Sequence, residues 1–408
     1  MFSHFINKNF HSGFHQHSIN MESIGSLTDQ QALHLVLSFI SAMIITVICI
    51  PQIIRLSKKY KLVDNPDQRK MHKVPIPTLG GIGFFTGFIV LSLFWMVIMG
   101  NLSDFVLFIG LVVLFVTGIF DDLTDMRALV KFGIQIVVAL IISYFGFRVE
   151  SLFGIFGIYE MPVIAQYAFS VLLITGLTNA FNLIDGIDGL AGGLAFINSM
   201  IMGLILLMQG NMIYAILAIS FAGALFGFLI FNFNPAKIFM GDTGSLIVGF
   251  LMAIFGIVIL KAGVPANFLF ENYSSGITIV VVGVLLLPVY DTLRVFAERI
   301  LKKSSPFKPD KTHVHHLLIE TGANHKKAVF ILYTTNILII AAAFLLRKSD
   351  PSFSVFMLFI LAAVLSESIN IKRWLIEIAQ GKKAMEETSK ITSENRFLED
   401  ILDENNKN

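Results

Sequence analysis

Long apolar runs separated by short polar stretches occupy most of the chain from about residue 32 onward. Most of these runs approach or reach the roughly twenty residues that an α-helix needs to cross a bilayer. The pattern predicts an all-α, polytopic membrane protein with about eleven transmembrane helices. The predicted spans lie near residues 32–54, 79–99, 104–120, 129–147, 163–181, 190–208, 212–231, 244–262, 276–296, 328–346 and 353–371.

Composition supports this class and excludes several others. Of 408 residues, 55% are hydrophobic and only 14% are charged. A soluble protein of this length needs more polar surface to cover its core. The net charge of +2 gives no reason to expect a nucleic-acid partner. The single cysteine, Cys49, excludes a disulfide framework.

Basic residues are unevenly divided between the predicted loops. Segments 55–73 and 297–327 each carry several Lys or Arg residues, whereas 100–103 and 209–211 carry none. Basic loops tend to remain in the cytoplasm. We therefore expect an external N-terminal tail (1–31), a transmembrane catalytic domain (32–371) and a cytoplasmic C-terminal tail (372–408).

Acidic, amide and histidine side chains follow several of the predicted spans on the same, cytoplasmic side. An acid in or beside a membrane helix is costly, so it indicates a functional site. Ordinary hydrophilic turns between helices would have no reason to gather on one side. We therefore predict an active site at the cytoplasmic face. The candidates are Asp121, Asp122, Asn182, Asp185, Asp188, Asp242, His313, His315 and His316.

The segment around Asp242 is the most specific of these motifs. Pro235 ends the preceding helix, and glycines flank an acid that is followed by hydroxyl residues. Asp242 could simply cap the next helix. A Mg²⁺–phosphate site fits the motif better, because Mg²⁺ favours one or two carboxylates together with substrate phosphates. Mn²⁺ is the alternative ion. If the third predicted helix continues, Asp121 and Asp125 share a face and could also hold a cation.

Two basic segments complete the pattern. His313, His315 and His316 could bind zinc, but no cysteine or further spaced histidine supports a closed zinc site. Nearby Lys308 and Lys311 favour anion binding instead. Lys73 belongs to a basic cluster that runs into a proline- and glycine-rich segment, which a plain cytoplasmic anchor would not require.

The ordered motifs resemble those of the polyprenyl-phosphate N-acetylhexosamine-1-phosphate transferases. The resemblance runs from about residue 35 to 346. Its motifs are Lys73 with Pro75–Gly81, Asp121-Asp122-Leu-Thr-Asp125, Asn179–Gly193, Asn234–Gly249 and His313-Val-His-His316. Asp125 and the form of the histidine motif are more similar to the N-acetylglucosamine branch than to the phospho-MurNAc-pentapeptide translocases.

The resemblance implies a Mg²⁺-dependent enzyme of the bacterial inner membrane. It would transfer GlcNAc-1-phosphate from a UDP-N-acetylhexosamine to undecaprenyl phosphate, a membrane lipid, release UMP, and so begin cell-envelope polysaccharide synthesis. Another UDP-amino sugar or phospho-MurNAc-pentapeptide is the alternative donor group.

The resemblance also implies roles for the candidate residues. Asp242 and Asp122 would serve the metal, while Asp121 or Asp122 would take a residual proton or orient the metal and the lipid phosphate. Asn182, Asp185 and Asp188 would line the nucleotide side with Lys73. His313, His315 and His316 would contact phosphates or sugar.

Two alternatives remain beside this reading. A covalent phospho-aspartyl intermediate is a second mechanism for the same reaction. A secondary transporter is the competing class of protein, and it predicts acids at mid-membrane and an internal repeat. We find no repeat in the sequence, and the acids lie at span ends. Whether the protein is a monomer or a homodimer stays open from the sequence.

Overall fold

The computed structural model describes residues 28–64, 75–100, 104–263, 274–303 and 312–369. Lys73, most of the N-terminal tail and the C-terminal tail lie outside the described residues. The described chain is almost entirely helical. Its helices are α1 Asp29–Lys59, α2 Gly80–Ile98, α3 Phe105–Thr124, α4 Ala128–Tyr144, α5 Val163–Ile184, α6 Leu190–Met208, α7 Met212–Asn232, α8 Gly241–Ala262, α9 Ser274–Leu301, α10 Val314–Glu320, α11 His325–Leu346 and α12 Pro351–Ile369.

Short elements connect these helices. One 3₁₀ turn covers Ile155–Gly157. Strands β1 (Val63–Asp64) and β2 (Ile76–Pro77) form an antiparallel pair, with Val63 opposite Pro77. The N-terminus of α1 is closed by a capping box, in which the Thr28 side chain accepts from Gln31 N and the Gln31 side chain accepts from Thr28 N.

The predicted membrane class is confirmed. Within the described ranges, ten helices are long and apolar enough to cross a membrane. The span predicted at 129–147 is represented by α4, a shorter apolar helix of 17 residues. At 1.5 Å per residue its length is about 26 Å, slightly less than the hydrocarbon core. Helix α10 is a short helix outside this set.

Helix α8 is the centre of the bundle. Every residue from Thr243 to Ile259 is buried, and the helix packs against α2, α3, α5, α6 and α9. Glycines let the backbones approach: a Cβ on Gly118 of α3 would lie 2.4 Å from Thr243 Cα, and one on Gly249 would lie 2.5 Å from Leu177 O. The N-terminus of α8 is therefore held among several helix ends.

The sides and the two ends of the bundle differ in chemistry. Along the sides, large apolar side chains such as Val97 and Ile164 are exposed, as expected of surfaces that face lipid. At one end, Tyr214 donates to Asp104 Oδ2 at 2.7 Å and Lys261 donates to Gly146 O at 3.0 Å. The motif-bearing ends of α3, α5, α7 and α9 lie together at the other end.

Candidate active site

The carboxylate of Asp122, at the end of α3, caps the N-terminus of α8. Its Oδ1 accepts from Asp242 N at 2.7 Å, and its Oδ2 accepts from Thr243 N at 3.0 Å and from the Thr243 hydroxyl at 2.5 Å. A carboxylate here satisfies free N–H groups and interacts favourably with the helix dipole. Asp122 therefore fixes the orientation of the first turn of α8, which carries Asp242.

Gly241 is required at the start of α8. Its φ is +70°, a left-handed conformation that favours glycine. An added Cβ would lie 2.2 Å from Thr78 O and 2.7 Å from Asp122 Oδ2. Gly81 N also donates to Met240 O at 2.9 Å. The proline- and glycine-rich segment predicted to belong to the site therefore does lie beside Asp242, although Lys73 itself is not described.

Lys131 of α4 is a site residue that the sequence motifs did not include. Its Nζ lies 2.6 Å from Asp121 Oδ2 and 2.5 Å from Asp242 Oδ1, and its side chain is only 12% exposed. The sequence held a usable signal, because a lone lysine within a predicted span is costly and indicates function. Lys131 joins the first acidic motif to the Asp242 loop.

Asn182 extends this network from α5. Its amide donates to Asp242 Oδ1 and, at 2.8 Å, to Ser245 Oγ, while its Oδ1 lies 3.5 Å from Lys131 Nζ. The predicted residues Asp121, Asn182 and Asp242 are therefore brought together through Lys131. Asp121 also accepts from Met126 N at 2.8 Å, which fixes the turn after α3.

Asp125 does not join Asp121 on one helix face. Helix α3 ends at Thr124, and Asp125 is its exposed cap in a left-handed conformation with φ +49°. The expectation that depended on a continuing helix was therefore wrong. The helix ends here because Asp121 Oδ1 accepts from Met126 N at 2.8 Å, which closes the turn before α4 begins at Ala128.

Asp185 is the free acid of the cluster. It follows the last residue of α5, is part-buried, and accepts no hydrogen bond from the residues that the structure describes. Burial, and then the nearby charges of Asp242, Asp122 and Asp188, raise the pKa of Asp185 to about 8. The concentration of negative charge around this residue is of the kind that a divalent cation relieves.

The Asp188 carboxylate is hydrogen-bonded to the segment that precedes α8. Its Oδ2 accepts from Asn234 Nδ2 at 2.8 Å and from Ala236 N at 3.1 Å, and it lies 4.0 Å from His325 Nδ1. The acid therefore ties the turn after α5 to the segment that leads into α8. A role in substrate binding stays a prediction for this residue.

The three histidines of the final motif have different surroundings. His313 Nδ1 lies 2.8 Å from Asp291 Oδ2. His315 is 1% exposed, and neither ring nitrogen has a hydrogen-bond partner among the described residues. Burial and the neighbouring His316 lower the pKa of His315 to about 3, so this ring is neutral. The His316 ring is centred 4.2 Å from the His315 ring.

The residues present fit a Mg²⁺ ion that also uses substrate phosphates as ligands. Among the described residues no group of three or more His, Cys, Asp or Glu side chains forms a metal cage. Asp242 accepts both of its bonds on Oδ1, and its side chain is 30% exposed. One accessible carboxylate, whose Oδ2 accepts no hydrogen bond from the described residues, matches the sparse protein ligation that Mg²⁺ accepts. Asp122 is less suited, because both of its oxygens already bind the start of α8.

The raised pKa of Asp185 predicts a pH-dependent stability. The folded protein keeps this proton to about pH 8, whereas the unfolded chain loses it near pH 4. The folded state therefore binds more protons in this window, and stability falls as pH rises through it. We expect Asp185→Asn to unfold at least about 2 °C higher than wild type at pH 8. The advantage should vanish near pH 4. Thermal unfolding in magnesium-free detergent solution measures this, and parallel curves for the two proteins would refute it.

The chain is similar in sequence to several known proteins. Residues 104–260 match the family described as glycosyl transferase family 4. A probable undecaprenyl-phosphate N-acetylglucosaminyl 1-phosphate transferase of Bacillus subtilis (strain 168) is 34% identical, covering 82% of this chain and 91% of the relative. Decaprenyl-phosphate N-acetylglucosaminephosphotransferase of Mycobacterium tuberculosis (strain ATCC 25618 / H37Rv) is 32% identical, with 72% and 78% covered.

A third relative is the undecaprenyl-phosphate alpha-N-acetylglucosaminyl 1-phosphate transferase of Escherichia coli (strain K12). It is 31% identical, with 76% of this chain and 83% of the relative covered. The matched family region includes α3, α5 and the start of α8, which carry Asp121, Asp122, Asn182 and Asp242. The chain therefore belongs to glycosyl transferase family 4, among the polyprenyl-phosphate N-acetylglucosamine-1-phosphate transferases.

Proposed function

We propose that this protein transfers GlcNAc-1-phosphate from UDP-GlcNAc to undecaprenyl phosphate and releases UMP. The observation that carries the proposal is the buried network of Asp121, Lys131, Asp242 and Asn182 at one end of a membrane bundle, in a chain of this family. The lipid acceptor enters from the bilayer and the nucleotide donor from water. A site at the end of the bundle is open to both.

The chemistry is phosphoryl transfer, which needs positioning and charge neutralisation more than covalent catalysis. An oxygen of the lipid phosphate attacks the donor phosphorus that carries the sugar, and the bond to the UMP oxygen breaks with its electron pair. A phosphate monoester has a second pKa of about 6 and is largely ionised at neutral pH, so no strong base is needed. Mg²⁺ at Asp242 would supply charge neutralisation of the donor pyrophosphate.

Other described residues of the site position Asp242 and supply charge near the transferred phosphate. Lys131 holds Asp242 Oδ1 and places a positive charge beside the site of the transferred phosphate. Asp122 positions Asp242 by accepting a hydrogen bond from its backbone N–H, and Asp121 orients Lys131 through an ion pair. We propose that Asp185 lines the nucleotide side of this network. A transporter reading is disfavoured, because these acids lie at helix ends rather than at mid-membrane.

A donor panel tests the function. Purified protein is incubated with undecaprenyl phosphate, Mg²⁺ and labelled UDP-GlcNAc, UDP-GalNAc, UDP-glucose or UDP-MurNAc-pentapeptide, and label extracted with lipid is counted. We expect UDP-GlcNAc to be the best donor, with Mn²⁺ replacing Mg²⁺ in part and a chelator stopping the reaction. Preference for another donor would replace the proposed substrate. Lack of transfer from every donor would refute the proposal.

We also propose that the motif-bearing end faces the cytoplasm of a bacterial inner membrane. The basic segments support this, because Arg299 lies in the last turn of α9 and Lys302 and Lys303 follow the helix. In a Cys49→Ser background, Lys302→Cys should react with an impermeant maleimide only in opened cells. Glu160→Cys, before the start of α5 at the other end of the bundle, should react in intact cells. The reverse pattern would overturn the orientation.

A further inference from the structure

A second buried ionic cluster lies in the half of α9 nearer the motif-bearing end of the bundle, outside the Asp242 network. Asp291 is 2% exposed. Its Oδ2 lies 2.8 Å from His313 Nδ1, and its Oδ1 accepts from Val314 N at 3.0 Å. Arg294 Nη2 lies 3.2 Å from the same Oδ1. None of the sequence motifs included Asp291 or Arg294.

These contacts fix the positions of three consecutive residues, Thr312, His313 and Val314. Arg294 also donates to Thr312 O, so the backbone is held on both sides of His313. Because Asp291 faces Nδ1, the Nε2 atom of His313 is turned away from the carboxylate. A carboxylate on one imidazole nitrogen fixes the ring orientation and the proton on that nitrogen. A buried charge is tolerated in such a place only when it is paired and hydrogen-bonded, as Asp291 is.

Residues 312–314 pack, through the His315 ring, against the turn that follows α5. The His313 ring stacks on the His315 ring with centroids 5.8 Å apart. The His315 ring lies against Gly186, where an added Cβ would be 2.1 Å from Nε2. Gly186 follows Asp185 directly. The position of residues 312–314 therefore sets how the histidine motif meets the turn that carries Asp185 and Asp188.

We propose that Asp291 is a positioning residue for donor binding, which holds His313 so that its Nε2 faces the sugar-nucleotide side of the site. This inference rests on the proposed function, because the donor is the one assigned there. Asp291 itself does not touch the donor. Its removal should weaken the donor complex while the Asp242 network, which performs the transfer, stays intact.

Steady-state kinetics of Asp291→Asn test the proposal. We expect the donor KM to rise about tenfold, with kcat and the acceptor KM changed less than about threefold. His313→Asn should raise the donor KM at least as far, and the double variant should be no worse than His313→Asn alone. Additive losses, or a fall in kcat with an unchanged donor KM, would overturn the inference.

Controls separate this outcome from simple unfolding. Asp104→Asn removes a paired acid at the opposite end of the bundle and should leave the donor KM unchanged. If Asp291→Asn does not yield folded protein, Asp291→Glu keeps the charge and displaces the ring, so it should raise the donor KM in the same way. An unchanged donor KM in Asp291→Glu would refute the proposal. Wild-type turnover is measured first: its absence refutes the proposed function, whereas wild-type turnover with unaffected Asp291 variants refutes this inference alone.

Discussion

Asp242→Asn is expected to lower kcat at least about a hundredfold while the protein is still extracted folded, because losing a metal ligand removes several kcal/mol of transition-state stabilisation. The amide keeps the size of the side chain. It can still contact Lys131 and Asn182, which now hold Asp242 Oδ1. The cap that Asp122 provides to α8 uses backbone N–H groups and should survive. The loss should therefore be chemical rather than structural.

Asp125→Asn is the matched control for this experiment. Asp125 belongs to the same family of motif acids, but it is exposed and lies in a left-handed conformation that asparagine tolerates well. We expect its activity to stay within about threefold of wild type. Retention of a tenth of wild-type activity by Asp242→Asn at saturating Mg²⁺ would contradict the assignment of Asp242.

Lys131→Met is expected to give the second large effect. The variant leaves the carboxylates of Asp121 and Asp242 without the ammonium that now lies 2.6 Å and 2.5 Å from them. Breaking a buried ion pair from one side costs about 3 kcal/mol or more of stability. The loss of positive charge near the transferred phosphate should lower kcat about a hundredfold as well. Thermal unfolding and lipid-extraction kinetics measure the two effects separately.

A charge-balanced double variant distinguishes a structural lysine from a functional one. Asp121→Asn combined with Lys131→Met removes one negative and one positive charge, so much of the lost stability should return. Activity should not return, because the ammonium beside Asp242 is still absent. Recovery of both stability and activity would show that Lys131 only neutralises Asp121.

The sequence was sufficient for the class of fold and for the expectation that Asp121, Asn182 and Asp242 lie close together. Run length predicted the spans because a bilayer imposes a minimum length on apolar helices. The clustering of Asp121, Asn182 and Asp242 followed from their positions at helix ends on one side. The end of α4 was not predictable in the same way, because the helix ends at Tyr144 whereas the apolar run continues through Phe145 and Phe147.

The sequence did not show which of the charged side chains interact with one another. Asp121 and Asp122 are adjacent, yet one binds Lys131 and the other caps α8. This division depends on the direction in which α3 ends, a tertiary feature without a local signal. Asp291 was overlooked for the same reason: its partner, His313, lies 22 positions away in the chain. Asp291 lies within the span predicted at 276–296, where an acid is costly and indicates function, but nothing in the local sequence shows that His313 is its partner.

In the proposed reaction the phosphate moves together with the sugar, so a label in that phosphate should follow the sugar to the lipid. Purified protein is given undecaprenyl phosphate and UDP-GlcNAc labelled with ³²P only in the phosphate attached to the sugar. We expect the label to appear in the lipid product, with one unlabelled UMP released for each lipid formed. Release of labelled UDP, with an unlabelled sugar on the lipid, would show transfer of the sugar alone and would refute transfer of the sugar phosphate.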